Sequence, residues 1–162
     1  MQSKLQVRQV DYRNPEDQAA LLGLLDMYAR DPMGGGEPLG EHVKATLCQA
    51  LAEHPGAVSW IAYVDQQPVG LLNAFKGYST FKARPLMNVH DIAVDPSCRG
   101  QGVGQSLLDA LQAYASALGC CKLTLEVLSG NALAQGSYQK FGFEQYALSA
   151  ATGQALFMQK WL

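Results

Sequence analysis

Gly100, Gly102 and Gly104 alternate directly behind Arg99, between an apolar run that stops at Pro96 and a stretch of helical spacing from Val103. Unpaired amides at a helix start point outward, the helix dipole is positive there, and glycine lets an anion come close to the backbone. Arg99 adds a fixed positive charge, so Arg99-Gly100-Gln101-Gly102-Val103-Gly104 suits a pyrophosphate. Two other phosphate loops fit poorly. No lysine follows the glycines as G-x-x-x-x-G-K-[ST] requires, and the spacing is G-x-G-x-G where a dinucleotide fingerprint has G-x-G-x-x-G. A glycine-rich helix start that binds nothing is the plain alternative. Elsewhere, Cys48, Cys98, Cys120 and Cys121 contain no C-x-x-C pair, and with no export signal they read as reduced thiols. A catalytic cysteine would need a basic neighbour in space, which sequence alone does not assign. His42, His54 and His90 lack metal-ligand spacing, so no metal is expected. His90 adjoins Asp91, but consecutive strand residues face opposite ways, which argues against a His–Asp dyad.

The elements that must position these residues follow from periodicity. Lys4 to Val10 reads as a first strand. Asn14-Pro15-Glu16-Asp17 starts a helix with a capping amide, a proline and first-turn acids, and Leu21 to Tyr28 form its apolar stripe up to Arg30. Pro32 to Pro38 breaks the chain at three glycines, Gly34 to Gly36, before a second helix carrying Val43, Leu47 and Leu51. Val58 to Val64 and Val69 to Phe75 form a hairpin; Asn88 to Val94 is a further strand. The helix behind the glycines shows Val103, Leu107, Leu111, Tyr114 and Leu118 on one face. Lys122 to Leu128 is a strand, Asn131 to Phe141 a short helix, and Phe143–Leu148 with Ala155–Trp161 a last strand pair. The order is β-α-α-β-β-β-α-β-α-β-β, a mixed sheet with helices packed on it.

Composition bounds the class. The 162 residues are 48% apolar and 16% charged, which is globular. A chain of this length buries about 69% of its surface on folding, enough for one core, and residues 1–162 are expected to form a single domain. A net charge of −2 supplies no basic field for nucleic acid or an anionic membrane. Apolar runs fall far short of the roughly 20 residues of a membrane span. Met1 to Val10 alternates polar and apolar without a signal-peptide block, so a cytoplasmic protein is expected.

Over roughly Asn88 to Tyr146, and in element order elsewhere, the chain resembles the GNAT family of N-acetyltransferases. The glycine turn matches that family's acyl-CoA loop, R/Q-x-x-G-x-G/A. Asp91-Ile92-Ala93-Val94-Asp95-Pro96 resembles its fourth strand and Leu125-Glu126-Val127 its fifth. Asn131, Ala134, Tyr138 and Phe141-Gly142-Phe143 stand at the family's spacing for the helix and strand that follow. Ser137 departs from the bulky apolar residue usual there, and Gly136 weakens the short helix by about 1 kcal/mol relative to alanine. The implied fold is α/β (α+β): a mixed, mostly antiparallel sheet of about seven strands, four helices, and fourth and fifth strands splayed apart.

The resemblance also implies chemistry. Acetyl-CoA would be the cosubstrate, its pantetheine paired with backbone near Ile92, Ala93 and Val94 as an added strand. Amides from Arg99, Gly100, Gln101, Gly102, Val103 and Gly104 would hold the pyrophosphate, and Asn131 would reach the pantetheine. Tyr138 resembles the general acid for the leaving thiolate. Glu126 stands twelve positions before Tyr138, as the base does in ribosomal-protein acetyltransferases, whereas Asp91 lies where other members carry theirs; an ordered water is the third route. The acceptor side would be built from Tyr28 to Leu39, with the aromatic turn Phe75 to Phe81 facing the same cleft. Eight acids against five bases in the first sixty residues suit a cationic amine such as a polyamine, an aminoglycoside or lysine, small or peptidyl. A non-catalytic acyl-CoA-binding module is the rival class and a nucleotide-binding protein the third. The last strand pair is one through which such folds form homodimers.

Overall fold

The computed structural model describes residues 4–162, so the first three residues of the alternating Met1–Val10 stretch lie outside the described residues. In chain order the elements are β1 (Leu5–Gln9), α1 (Pro15–Arg30), α2 (Glu41–Glu53), β2 (Ala57–Val64), β3 (Gln67–Ser79), β4 (Arg84–Val94), α3 (Val103–Ala117), β5 (Leu123–Leu125) and α4 (Ala132–Phe141). Short 3-10 turns at Pro32–Gly34 and Pro96–Cys98 interrupt the loops. The chain divides into two units, Met1–Leu125 and Glu126–Leu162.

In the first unit the strands run in the order β1-β2-β3-β4-β5, antiparallel through β4, with β5 parallel to β4. Both faces of this sheet are covered, which is why β2 reads AVSWIAYV, nearly all apolar. Ile61, Tyr63 and Leu71 pack with Leu21, Leu24, Cys48 and Leu51 of α1 and α2. The alternate residues turn to α3, where Trp60 meets Tyr114 edge to face at 5.3 Å and Leu107, Leu108 and Leu111 are fully buried. α1 starts as its sequence dictates: the Asn14 side chain accepts from the Glu16 amide at 2.8 Å and proline follows the cap.

Two differences from expectation have local causes. β4 carries a bulge, since Asn73 faces Asp91 and Ala74 faces Val89, leaving His90 as the extra residue. β5 pairs with β4 only from Met87 to Val89, up to that bulge, so the expected strand Lys122 to Leu128 shrinks to Leu123–Leu125. In the second unit the expected final strand pair is reduced to one bridge, Ala147 to Gln154, around a turn closed by Ser149 and Thr152. Small residues dominate that turn, and a lone hairpin is marginal in water. The sheet therefore has five strands among the described residues, where about seven were expected.

Candidate active site

The glycine turn joins β4 to α3. Gly100 and Gly102 adopt φ of 74° and 84°, a left-handed conformation that costs other residues energy, and neither has a neighbour within 4 Å of where a Cβ would stand. Gly102 caps α3 with no side-chain hydrogen bond, so no side chain of the cap residue serves the first amides of the helix. Arg99 donates from Nε to the Val94 carbonyl at 3.1 Å and pairs through Nη2 with Asp31 at 3.3 Å. The guanidinium is thus held at the strand end, and the Met33 amide and Arg99 hold the Asp31 carboxyl below its usual range.

Ahead of this turn, β4 has no β5 partner from His90 to Val94. The Asp95 amide bonds Val69 on β3 at 2.8 Å. By strand alternation Ile92 and Val94 then turn their backbone groups to the opposite side, which has no strand partner and where Arg99 donates to the Val94 carbonyl, with Ala93 toward β3. The bulge sets this parity. Upstream of it the Met87 amide already bonds Lys122 on that same side.

The bulge also overturns the argument against a His–Asp contact. His90 Nδ1 lies 3.3 Å from Asp91 Oδ2, because the extra residue breaks the alternation that would have separated the two side chains. Asp91 ends a polar row across the sheet. Ser59 on β2 opposes Asn73 on β3, which opposes Asp91 on β4. The Tyr12 hydroxyl meets Ser59 Oγ at 2.7 Å, Ser59 donates to Asn73 Oδ1 at 2.6 Å, and Asn73 Nδ2 donates to Asp91 Oδ2 at 3.0 Å. With the Ser59 proton committed to Asn73, Tyr12 must donate to Ser59, so every bond in the row points toward the Asp91 carboxylate. Ser59 and Asn73 are buried polar side chains at 1% and 4% exposure, so the row is satisfied internally. Sequence reading missed it, although a Ser and an Asn inside otherwise apolar strands were its signal.

Asp91 and His90 open onto a cleft of about 310 Å³ between the sheet and the α1–α2 side. From the loop Tyr28 to Leu39, the residues Tyr28, Ala29, Gly34 and Leu39 line it, whereas of the aromatic turn only Phe75 does. Tyr78 and Phe81 are exposed instead. Gly34 is obligatory here, since a Cβ would collide with the Tyr28 carbonyl. Burial pushes the Tyr28 hydroxyl up in pKa, and the charges of Asp91 and Asp31 push it further, so it stays a donor.

Three other expected site residues belong to the second unit. Tyr138 sits on α4, half-buried, with its ring edge-on to Phe143 at 6.0 Å. Asn131 caps that helix, its Oδ1 accepting from the Ala134 amide at 3.2 Å. Glu126 is exposed one residue beyond β5, so the strand-face argument that singled it out does not apply. Among the described residues no group of three or more His, Cys, Asp or Glu could hold a metal ion, and no helix is long and apolar enough to cross a membrane.

Residues 21–143 match the acetyltransferase (GNAT) family. The chain belongs to that family. It is 33% identical over 116 residues to a mycothiol acetyltransferase of Gordonia bronchialis, covering 65% of this chain and 36% of that protein. To an aminoglycoside N(6')-acetyltransferase of Stenotrophomonas maltophilia it is 28% identical over 61% of this chain and 67% of the relative. Other curated relatives are matched over 25% to 55% of their length. Among solved structures, an aminoglycoside N-acetyltransferase in complex with CoA superposes with a TM-score of 0.76 at 23% identity, covering 99% of this chain and 97% of that one. That likeness speaks for the fold.

Proposed function

We propose that the protein is an N-acetyltransferase that moves the acetyl group of acetyl-CoA to a primary amine by direct attack in a ternary complex. The observation that carries this reading is the unpaired edge of β4, which has a carboxylate at one end and the glycine turn at the other. Ile92 and Val94 pair with the pantetheine amides along that edge, next to Ala93. Amides from Arg99 through Gly104 hold the pyrophosphate, and Arg99 exchanges Asp31 for phosphate. Asn131 is a further residue for the pantetheine, on the strength of the family's pattern.

An ammonium of pKa near 10.4 must lose a proton before it can attack. Asp91 takes that proton, directly or through water, because its carboxylate is fixed at the cleft by Asn73 and His90. The freed nitrogen bonds to the thioester carbon, and a β4 amide steadies the oxyanion. As the carbon–sulfur bond breaks, Tyr138 gives its proton to the departing thiolate, and the second proton shed by the nitrogen returns through solvent to restore the tyrosine. Asp91 takes precedence over Glu126 as base because it lines the cleft.

Calorimetric titration with acetyl-CoA, with ATP and NAD as controls, tests the donor; micromolar binding to acetyl-CoA alone is expected. Tyr138→Phe should keep that affinity and lower kcat, since only the thiolate's proton donor is lost. Absence of acetyl-CoA binding in folded protein would refute the reading. Binding without turnover on any amine would leave a non-catalytic acyl-CoA module.

A further inference from the structure

The cleft is walled by carbon and carries one carboxylate. Leu25, Leu39, Val43, Leu47, Leu51 and Phe75 form its sides, and Asp91 is the acid that lines it. The acids nearby on α1 and α2 are occupied. Asp26 accepts from Arg30 and from the Leu39 amide, both at 2.8 Å, and Lys44 stands 4.0 Å away. Asp31 is held by the Met33 amide and by Arg99 until that side chain turns to phosphate, and Glu41 is held by Lys44 at 3.2 Å. Of these acids Asp31 acts on the cleft from outside, through its charge on Tyr28, and Asp91 is the carboxylate on the wall itself. A polyamine or aminoglycoside entering here would set its further ammonium groups against leucine, and a buried charge without a partner is strongly disfavoured. The volume, about 310 Å³, stands at the lower end of the roughly 300–1,000 Å³ of small-molecule sites.

We infer that the acceptor is a primary monoamine with an apolar body, an alkyl or arylalkyl chain, whose ammonium meets Asp91 while its chain lies between Leu25 and the α2 leucines. The inference rests on the transferase reading above and names the substrate class of the same cleft. Charge complementarity selects it: one carboxylate for one ammonium, and apolar walls for the remainder. His90 and Tyr28 join Asp91 in lining the cleft, and the His90 ring packs edge-on to Phe75 of the apolar wall at 5.5 Å.

The test is a homologous series of straight-chain primary amines at saturating acetyl-CoA, each matched with the α,ω-diamine of equal length and set beside an aminoglycoside. Thiol release is read for turnover and calorimetry on CoA-saturated protein for amine binding. The expected result is a kcat/KM that rises roughly fourfold per methylene until the cleft is full. Each diamine should fall about tenfold or more below its monoamine. Val43→Glu, which sets a second carboxylate on a partly exposed wall position, should narrow that gap. Turnover with diamines or the aminoglycoside preferred, or a gap unchanged by Val43→Glu, would overturn the inference while leaving the transferase reading intact. Monoamine binding with the expected chain-length dependence but no thiol release would sustain the inference and sink the transferase reading. Neither binding nor release would remove both.

Discussion

Asp91 owes its place to other residues. Its carboxylate accepts from Asn73, and Asn73 in turn is fixed by a Ser59 hydroxyl that Tyr12 completes. Replacing it by an amide removes the proton acceptor proposed at the cleft. Asp91→Asn should lower kcat/KM by about 10²-fold or more and move the working range upward, toward the pKa of the free amine near 10.4. A pH–rate profile of both carboxylate variants decides the base, because Glu126→Gln should leave it unmoved. The reverse outcome would transfer the role to Glu126. Asn73 acts through Asp91 and is a positioning residue. Asn73→Ala takes the acceptor from the buried Ser59 proton and leaves that hydroxyl only its bond with Tyr12, so it should cost about 1–3 kcal/mol in urea unfolding. It should also depress kcat/KM, and a double-mutant cycle with Asp91→Asn should be non-additive, since the two residues share one hydrogen bond. Additive losses would show Asn73 to be structural only.

At the scale of elements, the bulge at His90 shapes the site more than any single side chain. It turns His90 toward Asp91, ends the β4–β5 pairing at Val89, and shifts the backbone parity so that Ile92 and Val94 present the open edge. None of this was legible in the sequence, because a bulge adds one residue to a strand that reads the same with or without it. The helices were legible, since Asn14-Pro15 and the spacing of Val103, Leu107 and Leu111 encode start and buried face locally. The last strand pair was over-read: Ala155 to Trp161 has strand-like residues but only the single bridge to organise them. The glycine turn was legible as the start of a helix but not as a geometry. Its Gly102 holds φ of 84° in open space, so alanine there suffers conformational strain of about 1–2 kcal/mol without a clash. Gly102→Ala should therefore weaken acetyl-CoA binding by roughly tenfold in calorimetry, with thermal unfolding lowered by only a few degrees. Unaltered affinity would mean that the α3 start does not hold the pyrophosphate.

Across the whole molecule, the described ionisable groups with displaced pKa values make stability asymmetric in pH. The carboxyls of Asp26, Asp31 and Asp95 lie below their usual range through bonds from Arg30, the Met33 amide and Ser97 respectively. Such groups stabilise the fold above the ordinary carboxylate pKa of about 3.9, and that contribution fades as pH falls through the lowered values. All three are at the surface, where solvent screening leaves little to lose. The alkaline side is different, because Tyr12, Tyr28 and Cys48 are pushed up chiefly by burial. A group raised in this way contributes fully below its unfolded pKa, about 10 for tyrosine, and loses that contribution as pH climbs through the folded value. Tyr12 couples this to the site, since its proton starts the row that ends at Asp91. Tyr12→Phe should cost about 1 kcal/mol near neutral pH through the lost bond to Ser59. Above pH of about 10 the unfolded wild-type phenol ionises and the variant has nothing to ionise, so the two stabilities should converge. Urea midpoints measured at neutral and alkaline pH check this, and a gap that stays constant would mean that the Tyr12 hydroxyl is solvated in the folded protein, with the row beginning at Ser59.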